Sequence, residues 1–303
     1  IFKLIKFIKK NKINIIHARS RLPAWVCYFA LKLIKKNVRP VFITTFHGAY
    51  SVNIYSSIMA KGDKVIVVSE MIKKFVLKNF KVSEEKLFLN YRGVSDKEFY
   101  NHYKVSKKWI QKWHKDFPQT KGKILLTMPG RISRIKGQDH FILILKKIIH
   151  KHPNAHGIII GEEKDKHKYM NELKSLIKEL GLKENLTFVG HRKDIKKIMS
   201  ISKIVFSLSK VPEAFGRVSL ESLSLGIPVI AYAHGGVKEQ LIKLQPEGLV
   251  GVKNFTQAAN KAQKMLITPP KIKKNNFFTL EKMLQNTLSI YKKTIEEKEV
   301  KNS

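Results

Sequence analysis

Short apolar runs alternate with helical patterns along almost the whole chain, and that alternation narrows what it can fold into. The strand-like runs are residues 13–17, 41–45, 64–68, 86–90, 123–128, 156–160, 186–189, 204–208 and 228–232. Helical periodicity fills many of the gaps, as at 23–36, 70–80, 138–150, 168–180 and 216–225. Such a pattern implies right-handed βαβ units and an α/β fold with mostly parallel sheets. Ile158-Ile159-Ile160 is apolar on both faces, as a strand covered by helices on both sides must be. The run Asp116-Phe-Pro-Gln-Thr-Lys-Gly122 interrupts the alternation, and a new strand opens after it. Before it lies a polar helix carrying Trp109 and Trp113. Two doubly wound domains are therefore expected, 1–117 and 122–272, facing a cleft. A helical segment without a strand, 277–297, is expected to pack back on the first domain. A complete doubly wound half begins with a strand and a glycine-rich loop, whereas here a helix leads straight to 13–17. The first domain is accordingly expected to be incomplete at its N-terminus, and the chain reads as a fragment in preference to a shortened protein.

Composition removes several classes. Apolar residues make up 43% of 303, enough for ordinary cores, and no apolar run approaches the ~20 residues that span a bilayer. The opening decapeptide, interrupted by lysines, reads as an amphipathic helix and not as a signal peptide. Cys27 is the only cysteine, which excludes an internal disulfide and a cysteine-based zinc site and fits a reducing cytoplasm. His150, His152 and His156 lack acidic or cysteine partners at ligand spacing, so no metal site is expected. The formal charge of +36 raises nucleic acid or an anionic membrane surface as partners. Only 8 of the 59 basic residues are Arg, and the lysines are spread over nearly every helix, which suits a compositional bias better than a nucleic-acid groove. Seven of the eight arginines fall in or beside the motifs below, where a rigid fork for phosphate or carboxylate is useful.

The stretch from Val211 to Ile230 carries the most chemistry. It holds Glu213 in a loop and Glu221 on the following helix, with Gly216 between them at the helix start and Gly226 and Pro228 at its end. A helix N-terminus favours an anion. Carboxylates beside it make sense if they hold the neutral hydroxyls of the same ligand, and phosphate plus sugar hydroxyls describes a nucleotide-sugar. Upstream, the strand 124–128 runs into Gly130-Arg131-Ile-Ser-Arg-Ile-Lys136-Gly137. Arg131 and Lys136 are cations at the C-terminal edge of a parallel sheet, placed to stabilise charge that develops on a leaving diphosphate.

Together, Gly130-Arg131…Lys136-Gly137, Pro212-Glu213-Ala-Phe-Gly216, Glu221 and Gly226-Ile-Pro-Val-Ile-Ala231…Gly235-Gly236…Glu239 resemble the retaining glycosyltransferases of family 4, with the GT-B fold. The resemblance spans nearly the whole chain and is strongest over 124–240. It implies that Arg131 and Lys136, with Gly130 beside them, bind the donor diphosphate. It also implies that Glu213 and the backbone of Ala214, Phe215 and Gly216 meet the donor sugar, and that Glu221 takes the ribose hydroxyls. In the first domain, Thr44-Thr-Phe-His47-Gly48 matches a loop that implies a role for His47 near the reacting carbon. Arg92, where many relatives have Asn, and Ser95, where they have Asp, depart from the pattern; Arg92 reads either as a contact to an acidic acceptor or a phosphate or as a surface cation. Glu213, His47, Lys136 and Arg131 form the expected catalytic set. The runs His17-Ala-Arg-Ser-Arg21 and Tyr91-Arg-Gly-Val94 resemble a bacterial subgroup for envelope polysaccharide or lipopolysaccharide.

The implied activity moves a sugar from a nucleotide-diphosphate-sugar to a hydroxyl with retention, the departing phosphate taking the acceptor proton. No metal or other cofactor is implied. The implied partners are the donor, a glycan or lipid-linked acceptor and an anionic membrane surface, with the chain cytoplasmic or peripheral on the inner face. A basic nucleic-acid-binding protein and a GT-B nucleotide-sugar epimerase stand as alternatives. The first would need an aromatic–basic stacking surface, and the second is disfavoured by the Gly-Arg…Lys-Gly signature. Gly190-His191-Arg192 is either a base-adjacent loop or a plain connection, and Gly161-Glu162-Glu163 closes another strand outside the expected site.

Overall fold

The computed structural model describes residues 1–162 and 168–302; Glu163 lies outside them. In chain order the elements are α1 Phe2–Lys10, β1 Ile15–Ala18, α2 Arg21–Lys32, β2 Val41–Phe46, α3 Ile54–Ser57, β3 Lys64–Val67, α4 Glu70–Asn79 and β4 Leu87–Leu89. There follow α5 Lys107–Asp116, β5 Ile124–Pro129, α6 Gln138–Lys151, β6 Ala155–Ile160, α7 Lys168–Glu179, β7 Leu186–Phe188, α8 Ile195–Ser200 and β8 Ile204–Ser207. The last are α9 Arg217–Ser224, β9 Val229–Tyr232, α10 Gly235–Leu244, β10 Leu249–Val250, α11 Phe255–Ile267 and α12 Leu280–Asn302. All nine expected strands form within two residues of their expected ends. The two-residue β10 is too short to leave an apolar run in the sequence.

The chain divides into two compact units, Ile1–Gly93 with the segment from Phe277 onward, and Val94–Asn276. The first holds a four-stranded sheet ordered β1-β2-β3-β4 and the second a six-stranded sheet ordered β10-β9-β8-β5-β6-β7. Every recorded strand pair is parallel. Parallel strands need crossovers, and the crossover helices bury both sheet faces, so β2 and β6 have no exposed residue. Among the described residues no helix is long and apolar enough to cross a membrane.

Contacts divide the chain at Gly93, ahead of the break at 116–122, because α5 packs on the second sheet. Trp113, 1% exposed, joins Leu125, Ile158, Ile160 and Ile198. Trp109 stacks on Trp113 at 5.5 Å and donates Nε1–H to Asp194 at 2.9 Å. The first unit is closed by α12. Ile290 enters the core beside Val41, Ile43 and Ile66. The buried Asn90 donates to Met283 O at 3.1 Å and Thr287 Oγ1 at 2.8 Å.

Removing a buried Trp leaves a cavity and forfeits its transfer free energy. Trp113→Ala should cost the second unit about 3–5 kcal/mol, read from urea unfolding, and an unchanged midpoint would contradict this packing.

Candidate functional site

In the six-stranded sheet the chain runs outward from β5 through β6 to β7, then returns to β8 on the other side of β5. Loops leaving β5 and β8 come together at the C-terminal ends of those strands, the edge where open parallel sheets take ligands. The expected donor residues sit on these loops and on α9. Gly130 ends β5, its N–H donating to Ile160 O at 2.8 Å. Residues 131–137 turn back toward α6, held by the fully buried Gln138, which donates Nε2–H to Arg131 O at 3.0 Å. Lys136 Nζ then reaches Glu213 Oε1 on the β8 loop at 2.6 Å, with the side chains 30% and 24% exposed. One ammonium proton meets Glu213, and two remain for a ligand anion.

The β8 loop is fixed from three sides. Lys210 donates its backbone N–H to Ile135 O at 2.7 Å, and its ammonium meets Asp139 Oδ2 at 2.6 Å. Tyr169 donates to the other oxygen of Asp139 at 2.9 Å. Burial pushes the Asp139 carboxyl up, but the bonds from Lys210 and Tyr169 prevail and hold it below the usual range. His234 donates Nε2–H to Ser209 O at 2.8 Å.

Ala214, Phe215 and Gly216 are held by α10. Gly216 has φ +87°, and a Cβ there would strike Val237. A Cβ on Gly236 would fall 2.6 Å from both Ala214 O and Phe215 Cα, so only glycine lets α10 approach this closely. Gly236 donates its N–H to Glu213 O at 2.8 Å. The fully buried Gln240 donates Nε2–H to Phe215 O at 2.6 Å and to Gly216 O at 3.2 Å. Glu221 lies on α9, where Arg217 donates to its Oε1 at 2.8 Å. Burial pushes the Glu221 carboxyl above its ordinary value and Glu98 adds to this, while Arg217 opposes it.

The arginines differ in what they meet. Arg39, Arg134, Arg192 and Arg217 each pair with a carboxylate. Arg192 also lies over the Trp113 and Phe117 rings, so its side chain is held against the α5 end of the second unit. Among the described residues no ion pair engages the exposed Arg131, on the loop that follows β5.

In the first unit His47 and Arg92 meet where β2 and β4 end. Arg92 Nη2 donates to His47 Nδ1 at 2.5 Å, which puts the imidazole proton on Nε2. Arg19 Nε also aims a donor at the ring, 3.5 Å from Nε2, but a neutral imidazole has one acceptor nitrogen and the much shorter Arg92 contact takes it. His17 bridges Tyr291 Oη and Thr45 Oγ1, both at 2.6 Å. Burial lowers the His47 pKa to about 4, helped by the Arg92 and Arg19 charges. Burial likewise lowers that of His17 to about 4, with Arg19 and Arg92 adding to it.

The family described as glycosyl transferases group 1 matches residues 110–277, more than half of the chain and the whole β5–β8 site. The chain belongs to that family. Glycosyltransferase family 4 matches residues 1–98, so the two matches meet near the division between units. Spore coat protein SA of Bacillus subtilis is 25% identical over 94% of the chain and 80% of its own length. An uncharacterized glycosyltransferase of Methanocaldococcus jannaschii is 25% identical over 82% of the chain and 64% of its own length. Among solved structures, a glycosyltransferase from Rickettsia africae superposes with TM-score 0.79 at 29% identity, covering 96% of this chain and 79% of that one. Anabaena HepE in complex with UDP and glucose superposes with TM-score 0.80 at 21% identity, covering 96% and 82%. The fold class is GT-B, with two parallel-sheet α/β domains.

In this member of the glycosyl transferases group 1 family the structure brings Lys136 to Glu213, and separately brings His47 to Arg92. Sequence reasoning missed Gln138, Asp139, Lys210, His234 and Gln240, which hold the loops that carry the site. Asp139 and Lys210 are 71 residues apart, and a single Gln on a helix carries no local signal of a distant carbonyl.

His17 and His47 are neutral in the folded chain at neutral pH, whereas the unfolded chain protonates them near 6.5. Between about pH 6.5 and 4 the unfolded state binds more protons, so their contribution is fully present above 6.5 and is lost as pH falls toward 4. Urea unfolding at neutral and mildly acidic pH should show this loss, and His47→Gln should flatten it. An equal acid sensitivity in the variant would refute the assignment.

Proposed function

We propose that this chain transfers a sugar from a nucleotide-diphosphate-sugar to a hydroxyl acceptor with retention of anomeric configuration, in the synthesis of envelope glycan or lipopolysaccharide. Membership of a glycosyltransferase family supports the transfer. The observation that carries the donor half is the 2.6 Å contact of Lys136 with Glu213 between the β5 and β8 loops, beside an Arg131 that no carboxylate among the described residues engages. Arg131 and the remaining protons of Lys136 bind the diphosphate and stabilise the charge that grows on it as the glycosidic bond breaks. Glu213 and the ordered backbone of Ala214–Gly216 orient the sugar, and Glu221 accepts from the ribose hydroxyls. Because Arg217 already occupies one oxygen of Glu221, the other is the one offered to the ribose.

The departing phosphate oxygen takes the acceptor proton on the face it leaves, so no side-chain nucleophile and no metal take part. His47, neutral and carrying its proton on Nε2, is a hydrogen-bond donor to sugar or acceptor, and Arg92 pairs with an acidic acceptor group. The structures of HepE with UDP and with UDP-glucose make uridine diphosphate sugars the first donors to test. The envelope role rests on the resemblance of the His17–Arg21 and Tyr91–Val94 runs, and it sets the work at the inner face of the membrane on a glycan or lipid-linked acceptor.

A panel of nucleotide-sugars in a thermal-shift assay should pick out one donor by raising the apparent stability. With that donor, Lys136→Ala and Glu213→Gln should each lower kcat/KM by about 100-fold or more. Unchanged turnover would overturn the site. Proton NMR of the product should display the donor's anomeric configuration, an inverted product removing retention. Transfer should persist in EDTA; loss restored by a divalent cation would reject the metal-free route.

A further inference from the structure

The first 62 residues contain twelve lysines and arginines and no aspartate or glutamate; all 23 acidic residues lie from Asp63 onward. A lysine-rich composition accounts for lysines throughout the chain but not for a long segment without acids. In that segment α2 turns an apolar stripe outward. Leu22, Val26, Phe29 and Leu33 are 64%, 38%, 48% and 61% exposed, at the i, i+4, i+7 and i+11 spacing of one helix face. Ala24 and Leu31 on the opposite face, with Ala30 at its side, are buried and hold the helix to its own unit.

Aromatic side chains flank the stripe. Trp25 stacks on Phe29 with ring centroids 5.4 Å apart and donates Nε1–H to Tyr55 O at 3.0 Å, which fixes α3 and its exposed Ile54 beside α2. Lys32 extends over the Tyr28 ring at 5.6 Å. The neighbouring α1 packs on α2 and adds Lys3, Lys6, Lys9 and Lys10 with the exposed Phe2 and Phe7. Among the described residues no ion pair engages the lysines of α1 or α2.

We propose that the α2 stripe with basic α1 is a docking face for an anionic lipid bilayer. Exposed Leu, Val and Phe enter the acyl boundary, Trp and Tyr rings suit the headgroup level, and lysines meet the negative surface potential. A second copy of this chain would bring two acid-free cationic segments together, which disfavours a dimer through this face. The inference deepens the proposed work on a membrane-borne acceptor and rests on that reading only for why the chain needs a bilayer.

Co-sedimentation of the full chain with vesicles tests it. Binding to vesicles of phosphatidylcholine with about one-third phosphatidylglycerol should be at least about tenfold tighter than to phosphatidylcholine alone and should weaken with salt. Leu22→Asn with Phe29→Asn should weaken binding to the anionic vesicles by about tenfold or more, with the circular dichroism and melting temperature unchanged. Leu33→Asn alone, a milder change, should weaken it in the same direction should the double variant fold poorly. The emission of Trp25, isolated by comparison with Trp25→Phe, should shift to the blue on binding. Equal binding by the stripe variants would mean attraction by scattered lysine alone and would overturn the proposal. So would absence of binding, or a dimer in sedimentation that Phe29→Asn dissociates. Transfer to a soluble acceptor without vesicles should be unchanged in the stripe variants, so a failure of docking is separable from a failure of the transfer reading.

Discussion

Parallel strand pairing is the constraint on which the rest depends. Because every recorded pair is parallel, each return passes through a crossover, and all strands of a sheet end on the same edge. That edge collects loops from residues far apart in sequence. In the second unit, two of those loops meet beside β5, joined by a backbone bond and by side chains that reach from one loop to the other. Lys136 and Glu213 are such a pair. In the first unit the same logic brings Arg19, His47 and Arg92 to one edge from the ends of three strands.

The charges at these edges are sorted by partner. Four arginines are engaged by carboxylates and hold structure, while two flank His47 and add to the burial that keeps its imidazole neutral. A basic chain can therefore be selective about where positive charge is available to a ligand. The neutral His47 matters chemically, since an imidazolium would be repelled by the two guanidiniums and could accept no hydrogen bond from Arg92.

The strands were legible because period and apolar content coincide in a parallel sheet, as in Ile158–Ile160. The candidate site drew attention in the sequence where one loop and the helix after it carry several chemical groups in a fixed order, as between Glu213 and Glu221. The scaffold around it did not. Gln240 looks like any helical glutamine until α10 is seen against the loop, and Gly236 signals close approach only once Phe215 lies 2.6 Å from its absent Cβ. The division at Gly93 was hidden for a similar reason. A polar helix with two tryptophans reads as a linker end, and only the packing of Trp113 on Leu125 and Ile158 assigns it to the later sheet.

That division makes the second unit an insertion within the first. The second unit is continuous in sequence and emerges whole during synthesis, whereas the first must wait for α12. Until then Asn90 lacks Met283 and Thr287, His17 lacks Tyr291, and the cluster of Val41, Ile43 and Ile66 is open where Ile290 will sit. The order of completion thus runs against the order of translation: the unit that starts first is completed only after the second, and its strands depend on α12.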